Sequence, residues 1–99
     1  MEKRTPHAKL SRVHELIQAG SVRATRSAYE GAIELGITDL AGMCAVVMTL
    51  TPGSFYKSMT THADHRVWQD VYHTKANGRG VYLKLTVIDG VLIVSFKEL

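Results

Sequence analysis

The side chains with the clearest chemical use are lysines, a glutamine and a tyrosine in the second half of the chain. Lys57, Gln69, Tyr82, Lys84 and Lys97 all fall in stretches typical of β-strands. This set suits a phosphodiester, because cations stabilise the charge of a phosphorane, an amide binds a base edge, and a phenol transfers a proton or stacks. The residue types therefore predict a nucleic-acid site on one face of a sheet.

Tyr82 and Lys97 are placed together by the strongest local signal in the sequence. Asp89-Gly90 separates two apolar runs, GVYLKLTVI and VLIVSFK, which predicts a β-hairpin with a two-residue turn. Such a turn sets the register, so that Tyr82 lies directly opposite Lys97 with the two Cβ atoms roughly 5 Å apart. The less specific interpretation of this pair is an ordinary cross-strand contact on an exposed sheet face.

The remaining cross-strand partners divide the predicted hairpin into two faces, because side chains alternate along a strand. One face is apolar and must be covered by other elements; its pairs are Leu83–Phe96, Leu85–Val94 and Val87–Leu92. The opposite face, called here the open face, carries Tyr82 and Lys97; its further pairs are Lys84–Ser95, Thr86–Ile93 and Ile88–Val91.

Length and composition indicate one domain, residues 1–99, with a modest core. The net charge of +3 mildly favours polyanionic partners. The lone cysteine, Cys44, excludes an internal disulfide, fits a reducing compartment and is expected to be a small buried residue. Because no signal peptide and no apolar run of membrane length is found, we expect a cytoplasmic protein with no membrane partner.

The N-terminal half predicts three helices. Thr5 is the expected N-cap of the first helix. The spacing of Ser27 and Glu30 predicts a capping box at the start of the second. Thr38 is the expected cap of a third helix that runs through Leu50, and this helix should be buried because it is apolar all round.

The second half favours strands. Ahead of the hairpin lie two β-rich runs and a polar loop, at residues 55–61, 66–73 and 74–79 respectively. If Trp68 and Tyr72 lie on the core side, Gln69 and Tyr82 share the open face. Helices followed by strands predict an α+β fold, with about three N-terminal helices packed on one face of a twisted, mainly antiparallel sheet.

A group of histidine and aspartate residues offers a second chemistry. Its members are His62, His65, His73, Asp64 and Asp70. A His-x-x-His spacing in a turn, without cysteines, is a weak metal signal, so metal binding is disfavoured and no cofactor is predicted. His65 is the second choice for acid or base catalysis, because histidine titrates near neutrality whereas a free tyrosine is a poor base.

Several phrases of the sequence resemble the MqsR (motility quorum-sensing regulator) toxin family. They are Arg4-Thr-Pro-His7, Thr25-Arg-Ser-Ala28, Phe55-Tyr-Lys-Ser-Met-Thr-Thr61, Asp64-His65, Trp68-Gln-Asp-Val-Tyr72, Val81-Tyr-Leu-Lys84 and Leu92-Ile-Val-Ser-Phe-Lys-Glu98. The likeness runs nearly end to end, and the departures lie in residues 73–79 and on the surface of the second helix.

This resemblance implies the fold of RelE-type bacterial ribonucleases and a metal-independent, ribosome-independent endoribonuclease toxin. Such toxins cleave mRNA at GC-containing triplets, inhibit growth, and are neutralised by a zinc-containing antitoxin, MqsA. The catalytic residues that it implies are Lys57, Gln69 and Tyr82. The RNA contacts predicted beside them, from the resemblance and from the residues themselves, are Tyr56, Met59, Lys97, Lys84 and His65.

Without the resemblance, the residues divide evenly between an enzyme and a non-catalytic RNA- or DNA-binding module. In such a module Tyr82 stacks on a base and the lysines hold phosphates. A protein-interaction domain is a third interpretation, because edge strands invite pairing with a partner. The resemblance favours the enzyme, in which the 2′-hydroxyl of the substrate attacks the adjacent phosphorus and leaves a 2′,3′-cyclic phosphate and a 5′-hydroxyl.

Overall fold

The computed structural model describes residues 1–99 and contains three α-helices and six β-strands. The helices are α1 (Leu10–Gln18), α2 (Arg26–Glu34) and α3 (Leu40–Met48), and a 3-10 turn spans Pro52–Ser54. The strands are β1 (Glu2–Lys3), β2 (Val22–Ala24), β3 (Phe55–Thr60), β4 (Trp68–Ala76), β5 (Arg79–Val87) and β6 (Val91–Glu98). None of the helices has the length and apolar character needed to cross a bilayer.

The six strands form one sheet in the order β1-β3-β4-β5-β6-β2. All neighbours are antiparallel except β2, which pairs in parallel with β6. Strand β2 lies at the edge of the sheet beside β6. The α+β class and the mainly antiparallel sheet are therefore confirmed, with a mixed sheet as the refinement.

The helices bury the apolar face of the sheet, as predicted. Helix α2 lies against β6, where Ala28 and Ala32 are fully buried, and α1 contacts both β6 and α3. Among the largest fully buried side chains of the core are Tyr72, Phe96, Leu83, Leu85, Leu35 and Met43. Burial of this apolar area is the main stabilising contribution to the fold.

The predicted start of the first helix at Thr5 is wrong. A buried carboxylate accepts hydrogen bonds from the backbone amides that the Thr5 side chain would have capped. Asp70, which is 2% exposed, accepts hydrogen bonds from the backbone N–H groups of His7 and Ala8 at 3.0 to 3.1 Å. The chain therefore remains non-helical through Lys9, and α1 begins at Leu10 without a side-chain cap.

The caps of the other two helices also differ from the prediction by one or two residues. The side chain of Thr25 accepts from the N–H of Ala28 and caps α2, so the predicted capping box at Ser27 is wrong. Asp39, the residue after Thr38, accepts from Gly42 and caps α3. Both capping side chains are of types favoured at this position.

The expected burial of the third helix on all sides is wrong as well. Helix α3 ends at Met48, and only Met43 and Val47 are fully buried, because its core contacts lie on one side. Cys44 is half-buried, and that burial raises the pKa of its thiol.

The polar loop predicted at residues 74–79 is in fact the end of one strand and the start of the next. Pairs run unbroken from Asp70–Leu85 to Ala76–Arg79, and Asn77-Gly78 forms a two-residue turn. Both turn residues have positive φ, 52° and 76°, as a type I′ turn requires. Asn-Gly is the same kind of hairpin signal as the Asp89-Gly90 pair between β5 and β6, and here it predicts the β4–β5 turn.

The register of the β5–β6 hairpin is confirmed at its open end and wrong near its turn. Tyr82–Lys97, Leu83–Phe96 and Lys84–Ser95 are paired as predicted. Beyond a bulge at Val94 the pairs are Leu85–Ile93, Thr86–Leu92 and Val87–Val91, in place of Leu85–Val94, Thr86–Ile93, Val87–Leu92 and Ile88–Val91. A slip of one residue exchanges the two faces of a strand, so Val91 and Ile93 point to the core.

Candidate active site

Strand register brings most of the predicted site residues together in three rows on the open face. The first row is Tyr56, His73, Tyr82 and Lys97; the second is Lys57, Val71, Lys84 and Ser95; the third is Met59 and Gln69. Successive rows lie about 7 Å apart, since a strand rises about 3.4 Å per residue. Gln69 and Tyr82 share this face, as predicted, because Tyr72 is buried on the opposite face of the sheet.

A bulge in β3 places two consecutive residues on the open face. Phe55 pairs with Tyr72 and Lys57 pairs with Val71, so Tyr56 is the extra residue between them. Regular alternation would send Tyr56 and Lys57 to opposite faces. Because of the bulge, the Tyr56 ring stacks on the His73 ring of the open face, and the Lys57 side chain lies on the same face.

Three ammonium groups converge on this face. Burial lowers the pKa of Lys84, and the charges of Lys97 and Lys57 lower it further. Lys57 donates a hydrogen bond to the Glu2 carboxylate, and that bond raises the pKa of Lys57 and lowers the pKa of Glu2. The electrostatic field of the site is therefore positive, and one of its three cations, Lys57, is already bound to a carboxylate.

Val71 forms the floor between two of these lysines. It pairs with Lys57 on one side and Lys84 on the other, and its side chain is fully buried although it lies outside the main hydrophobic core. Long cationic side chains commonly place their stems over such an apolar residue and keep their charged ends at the surface.

Aromatic rings fill the first row. The Tyr56 and His73 rings stack with centroids 4.3 Å apart and an interplanar angle of 17°. The His73 and Tyr82 rings are 5.8 Å apart at 45°. Lys97 Nζ lies 5.1 Å from the centroid of the Tyr82 ring, which confirms the predicted Tyr82–Lys97 pair.

His73 is the site residue that sequence reasoning missed. It is one of the histidines of the suspected metal cluster, yet it lies directly opposite Tyr82 in the β4–β5 hairpin. The signal was present in the sequence, because the Asn77-Gly78 turn fixes the β4–β5 register and strand alternation then puts His73 on the face of Gln69.

The other histidines and aspartates of the suspected cluster are not brought together. His65 is exposed in the connection between β3 and β4. Trp68, the first residue of β4, already lies on the order of 17 Å along the strand from His73, and His65 comes before Trp68 in the chain. Asp64 binds Arg66, and Asp70 faces the core. No group of three or more His, Cys, Asp and Glu side chains is arranged to hold a metal ion.

Known proteins resemble this chain over nearly its whole length. The family described as "Motility quorum-sensing regulator, toxin of MqsA" matches residues 5–98. The chain is 59% identical over 98 residues to the "mRNA interferase toxin MqsR" of Escherichia coli (strain K12), and the match covers 99% of each chain. These similarities agree with the resemblance seen in the sequence motifs.

Proposed function

This chain belongs to the motility quorum-sensing regulator (MqsR) toxin family, and on that premise we propose that it cleaves mRNA at the open face without a metal ion. As a member of the family it is an endoribonuclease toxin, an mRNA interferase. Our proposal includes the RelE-type ribonuclease fold, cleavage at GC-containing triplets (GCU-like) away from the ribosome, and neutralisation by a zinc-containing antitoxin of the MqsA type. These finer properties rest on the family resemblance.

The observation that carries the proposed site is the convergence of Lys57, Lys84 and Lys97 around Tyr82 on one face. A phosphodiester in its transition state carries extra negative charge on the phosphorane oxygens, so fixed cations lower the barrier. The Glu2 carboxylate that binds Lys57 stands in for such an anionic oxygen. RNA bound at this position competes with the Glu2 carboxylate for the same ammonium group.

Each row of the site then has a role in the reaction. Lys57 stabilises the phosphorane oxygens, and Lys84 beside it, across Val71, adds positive charge. Gln69, one row away, positions phosphate or a base edge through its amide. Tyr82 transfers a proton, and Lys97 lies opposite it in the strand register. Tyr56 and Met59 flank the path of the RNA.

The proposal is tested by cleavage of a defined RNA in the presence of EDTA. We expect the parent to cleave at unchanged rate with EDTA and to leave 2′,3′-cyclic phosphate ends. Lys57→Ala should lose roughly a hundredfold or more of that rate, as for other lost electrostatic contacts at a reacting centre. Its melting temperature should change little, because ion pairs near the surface stabilise weakly.

Lys9→Ala is the matched control, since it removes the same charge at an exposed position outside the sheet. Equal cleavage by Lys57→Ala and the parent, or loss of all cleavage when EDTA is added, would contradict the proposal.

A further inference from the structure

The proposed reaction needs a base that the lysines and Tyr82 do not readily supply. A free phenol has a pKa of about 10 and an ammonium a pKa near 10.4, so neither accepts a proton easily at neutral pH. An imidazole, with an ordinary pKa of about 6.5, is the side chain suited to that step. His73 supplies one on the open face.

His73 is held in place by its neighbours on both sides. Its ring stacks on Tyr56 and sits beside Tyr82, directly opposite it in the strand register. The residue is half-buried, so part of it remains accessible to a ligand. The other titratable side chains of this face are Tyr56, Lys57, Lys75, Tyr82, Lys84 and Lys97, with Glu2 paired to Lys57.

We propose that His73 is the general base of the cleavage reaction and that Tyr82 is its general acid. This inference rests on the proposed function and deepens it. A nitrogen of the neutral imidazole takes the proton of the 2′-hydroxyl as the 2′-oxygen forms its bond to phosphorus. The bond from phosphorus to the 5′-oxygen breaks with its electron pair, and that oxygen takes the phenolic proton of Tyr82.

Two separate groups are needed because the attacking and leaving oxygens lie roughly in line on opposite sides of phosphorus. After cleavage His73 is an imidazolium and Tyr82 a phenolate. The two rings are neighbours at 5.8 Å, so a proton returns from His73 to Tyr82 through water and restores both groups. The Lys97 ammonium, 5.1 Å from the Tyr82 ring, stabilises the phenolate in the interval.

The test compares substitutions of His73 that keep different parts of its side chain. His73→Gln keeps polarity, and His73→Phe keeps the ring that stacks on Tyr56. Both should lose about 10²- to 10⁴-fold in cleavage rate, the range for a lost general base. Affinity for an RNA with 2′-deoxyribose at the cleavage position should stay within a few-fold at fixed salt.

A pH profile and chemical rescue separate catalysis from a structural role. The parent rate should fall at acidic pH, because a protonated imidazole cannot accept the 2′-hydroxyl proton, and this acidic limb should be absent in His73→Gln. Added imidazole should restore cleavage by His73→Ala, which leaves space for it. His62→Gln, an exposed histidine in the β3–β4 connection, is the control and should match the parent.

Cleavage by His73→Phe at the parent rate with the same pH profile would overturn the inference, because the ring would then only stack. Failure of imidazole rescue together with a retained low-pH limb in His73→Gln would do the same. Neither result bears on the proposed function, which fails if the parent does not cleave RNA, if EDTA abolishes its cleavage, or if Lys57→Ala cleaves at the parent rate.

Discussion

Two hairpins share β5, and they reach their register by different means. In the β4–β5 hairpin the two-residue turn Asn77-Gly78 sets a register that runs unbroken to Asp70–Leu85. In the β5–β6 hairpin three residues, Ile88 to Gly90, lie between the paired Val87 and Val91, and a bulge follows between Lys84 and Leu85. Both turns have two successive residues with positive φ. The turn residues alone therefore do not decide the pairing.

The two hairpins differ because, in the β5–β6 hairpin, the backbone amide of Val91 has a hydrogen-bond partner outside the hairpin. In a two-residue turn at Asp89-Gly90, the N–H of Val91 would pair with Ile88. Instead Val91 donates to the Ser21 carbonyl at 2.9 Å, because β2 runs alongside β6 as an additional parallel strand. This moves the ladder by one residue near the turn, and the extra residue Val94 returns it to the original register.

The bulge also has a partner from outside the hairpin. The Thr25 hydroxyl donates to the Val94 carbonyl at 2.7 Å, and the Thr25 N–H donates to the Ile93 carbonyl at 3.0 Å. The β4–β5 turn is anchored as well, since Asn77 donates to the Leu35 carbonyl, but that bond lies outside its ladder. A turn thus predicts register only where no other segment competes for the ladder amides.

The largest expected effect concerns Tyr82, which faces His73 across one hairpin and Lys97 across the other. Tyr82→Phe keeps the ring and should lose 10²- to 10⁴-fold in turnover, with RNA affinity within a few-fold of the parent. A stacking residue would instead keep its activity, since a base needs only the π-face.

Double variants then show whether Tyr82 acts in catalysis together with His73 of the β4–β5 hairpin or with Lys97 of the β5–β6 hairpin. Adding His73→Gln to Tyr82→Phe should cost much less than the product of the single losses, because residues that act as a unit are not additive. Adding Lys97→Ala should be closer to additive. The reverse pattern in single-turnover rates would assign the proton transfer to the Tyr82–Lys97 pair.

These hairpins also show how much of the site could be predicted from sequence. The Tyr82–Lys97 pair is correct although the turn geometry behind it is not, because the shift at the turn and the bulge at Val94 cancel. The Tyr56 bulge in β3 and the capture of the Thr5 region by Asp70 depend on contacts between distant segments. Local residue patterns carry no information about such contacts, whereas the missed His73 was within reach of the Asn-Gly turn signal.

The next expected effect compares Gly90 with Gly78, which both have positive φ, 105° and 76°. An added Cβ at Gly90 would lie 2.7 Å from the Ser21 carbonyl oxygen, whereas nothing lies within 4 Å at Gly78. Gly78→Ala should cost about 1 kcal/mol from the left-handed backbone alone. Gly90→Ala should cost about 3 kcal/mol, because the clash with Ser21 adds to that strain.

Urea unfolding of the two variants measures this difference in free energy of unfolding. Equal destabilisation would mean that Ser21 moves freely and does not set the register at the β5–β6 turn.

The smallest expected effect is at Thr25, whose hydroxyl accepts from the Ala28 N–H and donates to the bulged Val94 carbonyl. Thr25→Val keeps the shape but removes both bonds, and should cost about 2 kcal/mol, roughly half for the helix cap and half for the carbonyl. Thr25→Ser keeps the hydroxyl and should stay within about 0.5 kcal/mol of the parent.

Hydrogen exchange shows where the Thr25→Val loss falls. Amides of the β5–β6 ladder around the bulge should exchange faster in Thr25→Val, while those of the β4–β5 ladder keep their protection, because only the former depends on an outside partner. An equal loss of protection in both ladders would show that the bulge is not held locally by Thr25. In that case the two hairpins would open as one unit. The register of the Tyr82–Lys97 pair would then be set by the pairing of β6 with β5, and not by Thr25 and β2 on the other side of β6.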